Sequence, residues 1–138
     1  MIDQSAQPAT DRATTTGCGN GSLEKVDCYR LAVELAAVVA TLVPRGHASL
    51  RDQLERASTS VVLNLSEGWG RWRAREKAQF YAIARGSLLE SRAAIDLIQA
   101  RGLAGEAECG RARELCTRVG RMLNGLIRAM ERRAAACS

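Results

Sequence analysis

Leu50, Leu54, Ala57, Val61 and Leu65 stand at i, i+4, i+7, i+11 and i+15, and comparable series recur along most of the chain. At about 100° per residue, this spacing puts every member on one side of a helix. Nowhere does the alternation of a half-buried strand compete with it. A first helix is expected over about residues 23–43, with Ser22 as its cap and Val26, Leu31, Leu35, Val38, Val39 and Leu42 on one face, until Pro44 and Gly46 break the pattern. The second starts near Ala48 or Ser49 and stops near Gly70. The third follows "GRWRAR", carries Phe80, Ala84, Ser87, Ser91, Ala94 and Ile98 on one face with Ile83, Leu88 and Ile95 beside them, and ends at Gly102. On the last, Leu115, Val119, Met122, Leu126 and Met130 form a stripe that Cys116, Leu123 and Ile127 widen.

Four helices of similar length on short loops imply an all-α protein, an antiparallel up-and-down four-helix bundle over residues 22–134. Residues 1–21 are rich in Thr, Gly and Ala without an apolar period and read as a disordered arm; residues 135–138 read as a flexible tail. With 138 residues and 46% hydrophobic content, the chain suffices for one domain with a core. Two Trp, two Tyr and one Phe leave that core mainly aliphatic. The apolar faces of helices 2 and 4 are wider than a single seam requires, which implies a closed homo-oligomer.

The charge is lopsided: 20 Lys+Arg against 15 Asp+Glu gives +5, and all the basic residues but Lys25 and Lys77 are arginine. Arginine's planar fork suits phosphate and carboxylate, so an anionic or acidic partner is favoured. Five cysteines (Cys18, Cys28, Cys109, Cys116 and Cys137) are odd in number and form no CxxC or Cys/His group. Reduced bystander thiols in a cytoplasmic protein fit this better than a disulfide framework or a zinc site. The sequence shows no signal-peptide core and no apolar run of the roughly 20 residues a membrane span needs.

The stretch "NLSEGWGR", residues 64–71, raises the sharpest question of function. A phosphate-binding glycine loop lies between a strand and a helix and carries more glycines or Gly-Lys-Ser/Thr, neither of which is present. A di-iron bundle would use Glu67 and Glu90, but it also wants Glu-x-x-His units, and His47 is the one histidine and falls in a loop. No Ser or Cys has a histidine at helical spacing, so hydrolytic readings weaken too. No metal, cofactor or catalytic residue is expected. By helical geometry, Gln53, Ser60, Asn64 and Glu67 border the apolar face of helix 2, facing a neighbouring helix, while Gly68 lies on that face and lets the neighbour come close. Asn64 and Glu67 should then bond across the interface, and Gly70 should supply the helix end.

At this point "LRDQLERASTSVVLNLSEGWGR" and "FYAIARGSLLESRAAIDL" resemble the bacterial four-helix-bundle family known as 23S rRNA intervening-sequence proteins, or S23. The resemblance rests on Leu50, Gln53, Leu54, Arg56 and Ala57, on Asn64, Leu65, Glu67, Gly68, Gly70 and Arg71, and on Ala84, Gly86, Ser87 and Glu90. Leu65 replaces the usual Ile, Val62 stands where many members have Pro, and "WGRWRAR" is bulkier and more basic than typical. The resemblance implies a ring, commonly a homopentamer, associated with RNA. It also implies a fold similar to the accessory variability determinant of diversity-generating retroelements, a pentamer that works with a reverse transcriptase. Arg71, Trp72, Arg73, Arg75 and Lys77 are the candidate RNA contacts, arginine for phosphate and an exposed indole for stacking. Arg128, Arg132 and Arg133 are weaker candidates, because the helix dipole already favours cations at the end of helix 4. The competing expectation is a solvated loop whose tryptophans pack beneath the bundle or at a subunit contact, in a protein-binding scaffold or adaptor.

Overall fold

The computed structural model describes residues 20–137 and, among them, holds four helices and no strand. These are α1 (Asn20–Ala40), α2 (Ala48–Gly70), α3 (Ala74–Ala100) and α4 (Glu106–Ala136). The arm expected at the N-terminus lies outside the described residues up to residue 19. Asn20 and Gly21 already belong to α1, so Ser22 sits inside the helix instead of capping it. At the other end α4 continues to Ala136, into the segment expected to be a tail.

Side-chain pairs fix the direction of each helix. Ser60 of α2 meets Ser87 of α3, and Gly68 further along α2 meets Tyr81, earlier in α3. Between α3 and α4 the pairs Arg85–Asn124, Arg92–Thr117 and Asp96–Arg113 run in opposite order. Glu34 with Arg111 and Cys28 with the Val119 carbonyl do the same for α1 and α4. Each helix packs on its chain neighbours and α1 closes on α4, while among the described residues the backbones of diagonal helices stay apart. This is the up-and-down arrangement that short loops between consecutive helices favour.

Helix ends follow local chemistry. α1 stops at Ala40, although Leu42 and Val43 remain buried in the turn that follows. Pro44 disfavours helical backbone at Val43, so the apolar pattern outlasts the helix. α3 ends where Gly102 takes a φ of 68°, with Leu103 N–H donating to the Ile98 carbonyl and Gly102 N–H to that of Gln99. That pair of bonds is the Schellman arrangement, for which glycine carries no Cβ penalty. Gly70 ends α2 differently: it lacks a positive φ, and Arg71 leaves the helix in extended backbone at φ −79°, ψ 149°.

The core is aliphatic, with Leu35, Leu54, Ile95, Ile98, Leu123, Leu126 and Met130 among its fully buried members. One aromatic ring, Tyr81, joins them. Of the stripe expected for α3, Ala84, Ser91, Ala94 and Ile98 are buried together with Leu88 and Ile95, but Phe80 is half-buried, Ile83 is exposed and Tyr81 takes the inward place at that end. The wide face of α4 is taken up inside the chain: Leu115, Cys116, Val119, Leu123, Leu126, Ile127 and Met130 are all buried. Unburied apolar surface stands mostly on α2 and α3, at Leu63, Ile83, Leu89 and Leu97, with Tyr29 and Val33 on α1. Cys28, Cys109 and Cys116 are free and buried, and burial pushes the Cys28 thiol up to about 12 and that of Cys116 to about 11. Cys137 is free and exposed. Among the described residues, no helix is long and apolar enough to cross a membrane.

Candidate nucleic-acid interface

Antiparallel packing places the end of α2, the start of α3, the end of α4 and the start of α1 at one end of the bundle. Arg71, Trp72, Arg73, Arg75 and Lys77 therefore share that end with Arg128, Arg132 and Arg133, the set treated as their rival in the sequence. Arg75 lines a groove with Glu131, Ala134 and Ala135 of α4, and the charge of Arg133 acts on Lys77. The signal that could have joined the two sets was already present: the order of four helices of similar length.

The five candidates divide by what they touch. Trp72 is 97% exposed, and Arg73 and Arg75 are exposed beside it. Arg71 is engaged within the chain, donating to Glu67 Oε1 at 2.6 Å and lying over the Phe80 ring at 4.8 Å. Lys77 is also engaged: its Nζ donates to the Trp69 carbonyl at 2.7 Å and the Gly68 carbonyl at 3.2 Å. The last carbonyls of a helix lack intrahelical partners, and Lys77 supplies one from the next helix. Residues 71–73 are thus an exposed link held at both sides. Trp69 is 44% exposed, so neither indole lies beneath the bundle.

The residues that carry the family resemblance also divide. Gly68 is buried against α3: a Cβ there would stand 2.7 Å from Tyr81 Cε1 and 3.1 Å from Phe80 Cβ. Its expected role in close approach is met. Ser87 reaches across to Ser60 at 2.8 Å. Asn64 does not cross; its amide donates to the Ser60 carbonyl and hydroxyl of its own helix, at 2.8 and 3.0 Å. It supports the crossing bond from behind.

Glu67 departs further from expectation. Its side chain is 52% exposed and pairs one turn ahead with Arg71, whose own is 43% exposed. A helix-surface ion pair satisfies it, and no buried partner depends on it. Gln53, Arg56, Gly86 and Glu90 are exposed. Arg56 shares a shallow groove with Thr59, Ser60, Leu63 and Asn64, and Gln53 shares another with Leu50, Leu97 and Arg101. Both depressions open on the outer side of α2, and the second also takes in Leu97 and Arg101 beside α3. His47 is an exposed loop residue before α2 and makes no side-chain capping bond. Among the described residues, no three His, Cys, Asp or Glu side chains gather into a metal-ligating group.

Among curated proteins nothing matches the chain. A family profile does match, over residues 24–125, from α1 into α4, and it covers both the Gly68–Tyr81 contact and the Ser60–Ser87 bond. On that match, the chain belongs to the 23S rRNA-intervening sequence protein family.

Proposed function

We propose that this protein is a non-enzymatic, cytoplasmic, homo-oligomeric RNA-binding bundle, in the pentameric form its family resemblance implies, and that RNA meets it at the basic end. The observation that carries the reading is Trp72, 97% exposed between Arg71 and Arg73. A fully wet indole next in sequence to an exposed arginine, Arg73, suits a base and its phosphate. Arg73 and Arg75 supply cations not drawn into the fold, and the C-terminal arginines extend the same surface.

Binding of a structured RNA, measured at several salt concentrations, tests this. Affinity should fall linearly on a log–log plot, by roughly 0.7–0.9 per phosphate neutralised. Replacing Trp72 with Ala and Arg73 and Arg75 with Gln should weaken binding and lower that slope by about 1.4–1.8, because two phosphate contacts are removed. No binding by the unaltered protein at about 50 mM salt, where phosphate contacts are strong, would sink the reading.

A second reading, a scaffold or adaptor for a protein such as a reverse transcriptase, draws on Leu63, Ile83 and Leu97, which are 62%, 51% and 45% exposed on α2 and α3. In the first reading the same surface joins copies of the chain. Native mass measurement separates them: a closed oligomer of one species supports self-assembly, and a monomer counts for the adaptor.

A further inference from the structure

Tyr81 is buried to 1% exposure, yet its hydroxyl has no hydrogen-bond partner. A phenol in an aliphatic core normally finds a partner, because an unmet buried donor is costly. Helical side chains lean toward the N-terminus of their own helix, and for α3 that is the basic end of the bundle. One turn nearer that end, on the same side of α3, stands Lys77. Tyr81 and Lys77 also converge on one residue of α2: the Tyr81 ring lies against Gly68, and Lys77 Nζ binds the Gly68 carbonyl.

The start of α1 and the end of α4, packed together at the same end of the bundle, carry two further cations. The charges of Lys25 on α1 and Arg133 on α4 both act on Lys77, and that of Arg133 acts on Lys25 and on the Tyr81 phenol. Burial first, then this mutual repulsion, holds both lysines below their usual range. Among the described residues none of the three cations has a carboxylate within ion-pair distance, although Glu76 and Glu131 are near them in sequence. Three neighbouring positive charges and a buried hydroxyl without a partner ask for the same thing, a compact multivalent anion with several acceptor oxygens.

We propose that Lys25, Lys77 and Arg133, with the Tyr81 hydroxyl as the innermost donor, form a binding site for a phosphate-sized oxyanion where the four helices meet at the basic end. The site rests on the fold and needs no RNA. Its occupant is either free phosphate or the terminal phosphate of a nucleic-acid chain, and the two share the same donors.

The test uses the full chain at constant ionic strength. Millimolar inorganic phosphate should raise the melting temperature by about 3 °C relative to chloride. Arg133→Gln and Lys25→Gln, both outside the core, should each remove most of that rise. Tyr81→Phe is the decisive variant: without phosphate it should be as stable as the original or more so, because an unpartnered hydroxyl is gone, while its response to phosphate shrinks. Lys77→Met also loses both bonds to the end of α2, so it is read through its phosphate response and not its melting temperature. An equal response in all variants, or none in the unaltered protein, would overturn the site. If the response exists, a 5′-phosphorylated oligoribonucleotide binding several-fold more tightly than its 5′-hydroxyl counterpart, with the difference lost in Arg133→Gln, assigns the site to a nucleic-acid terminus. Equal binding of the two assigns it to free phosphate.

Discussion

The inner and outer faces of α2 both carry residues of the family pattern, and one chain makes very different use of them. Inward, Leu54, Ala57, Leu65 and Gly68 are buried and set how closely α3 and the rest of the core approach. Outward, Gln53, Arg56 and Glu67 are exposed, with Leu63 beside them at 62% exposure. Packing within one subunit accounts for the first set. It gives Glu67 only a surface pair with Arg71 and leaves Gln53, Arg56 and Leu63 without a task inside one subunit, so the outer face is where a task between molecules would lie.

The widest separation between the faces should come from truncating a leucine on each. Leu54 is fully buried, so Leu54→Ala should cost about 2–5 kcal/mol through lost burial and the cavity left behind. Leu63→Ala should change the stability of the isolated subunit by less than about 0.5 kcal/mol, as exposed positions usually do. Denaturant unfolding measures both. A large loss for Leu63→Ala that grows with protein concentration would show the outer face buried in an assembly, which sharpens the contrast.

A finer comparison uses two glycines, two residues apart. Gly68→Ala puts a methyl 2.7 Å from the ring of Tyr81, which is buried and has little room to give. Overpacking of about 1–3 kcal/mol should exceed the gain of about 1 kcal/mol in helix propensity and leave the protein less stable. Gly70→Ala meets nothing within 4 Å and needs no left-handed backbone, so it should stabilise by up to about 1 kcal/mol. Thermal melts of the pair should move in opposite directions; movement in the same direction would break the geometric account of the α2–α3 contact.

The smallest effect belongs to Glu67→Ala, which loses a half-exposed pair with Arg71 and should cost about 0.5 kcal/mol or less. If RNA affinity rises in this variant, Arg71 has been released toward the ligand; a loss above about 1 kcal/mol would place Glu67 in a subunit interface.

How much of this could be read from the sequence depends on the range of each interaction. Helical period located all four helices, because it is local and repeats many times. Gly68 was legible because its position on the apolar face implies a close neighbour whatever that neighbour is. The partners of Asn64 and Glu67 were not, since a border position leaves a side chain free to turn back along its own helix, to Ser60 and to Arg71. Tyr81 escaped notice for a related reason: a stripe centred on Phe80 and Ala84 lies close enough in angle to hide a small rotation of α3. The union of the basic link with the C-terminal arginines depends on the meeting of chain segments about 60 residues apart, which periodicity does not address.

The pinning of the 71–73 link bears on how its tryptophan can be used. Exposed loops ordinarily sample many shapes and must forfeit that freedom on contact, at about 1–2 kcal/mol per residue ordered. Here Arg71 is clamped to Glu67 and Phe80 on one side, and Lys77 ties the start of α3 to the last carbonyls of α2 on the other. These contacts restrict the backbone beneath Trp72 from both sides, so a contact with the indole would have less chain freedom to remove. Such a residue stands as a post in open water, and a partner that contacted it would have little chain left to order.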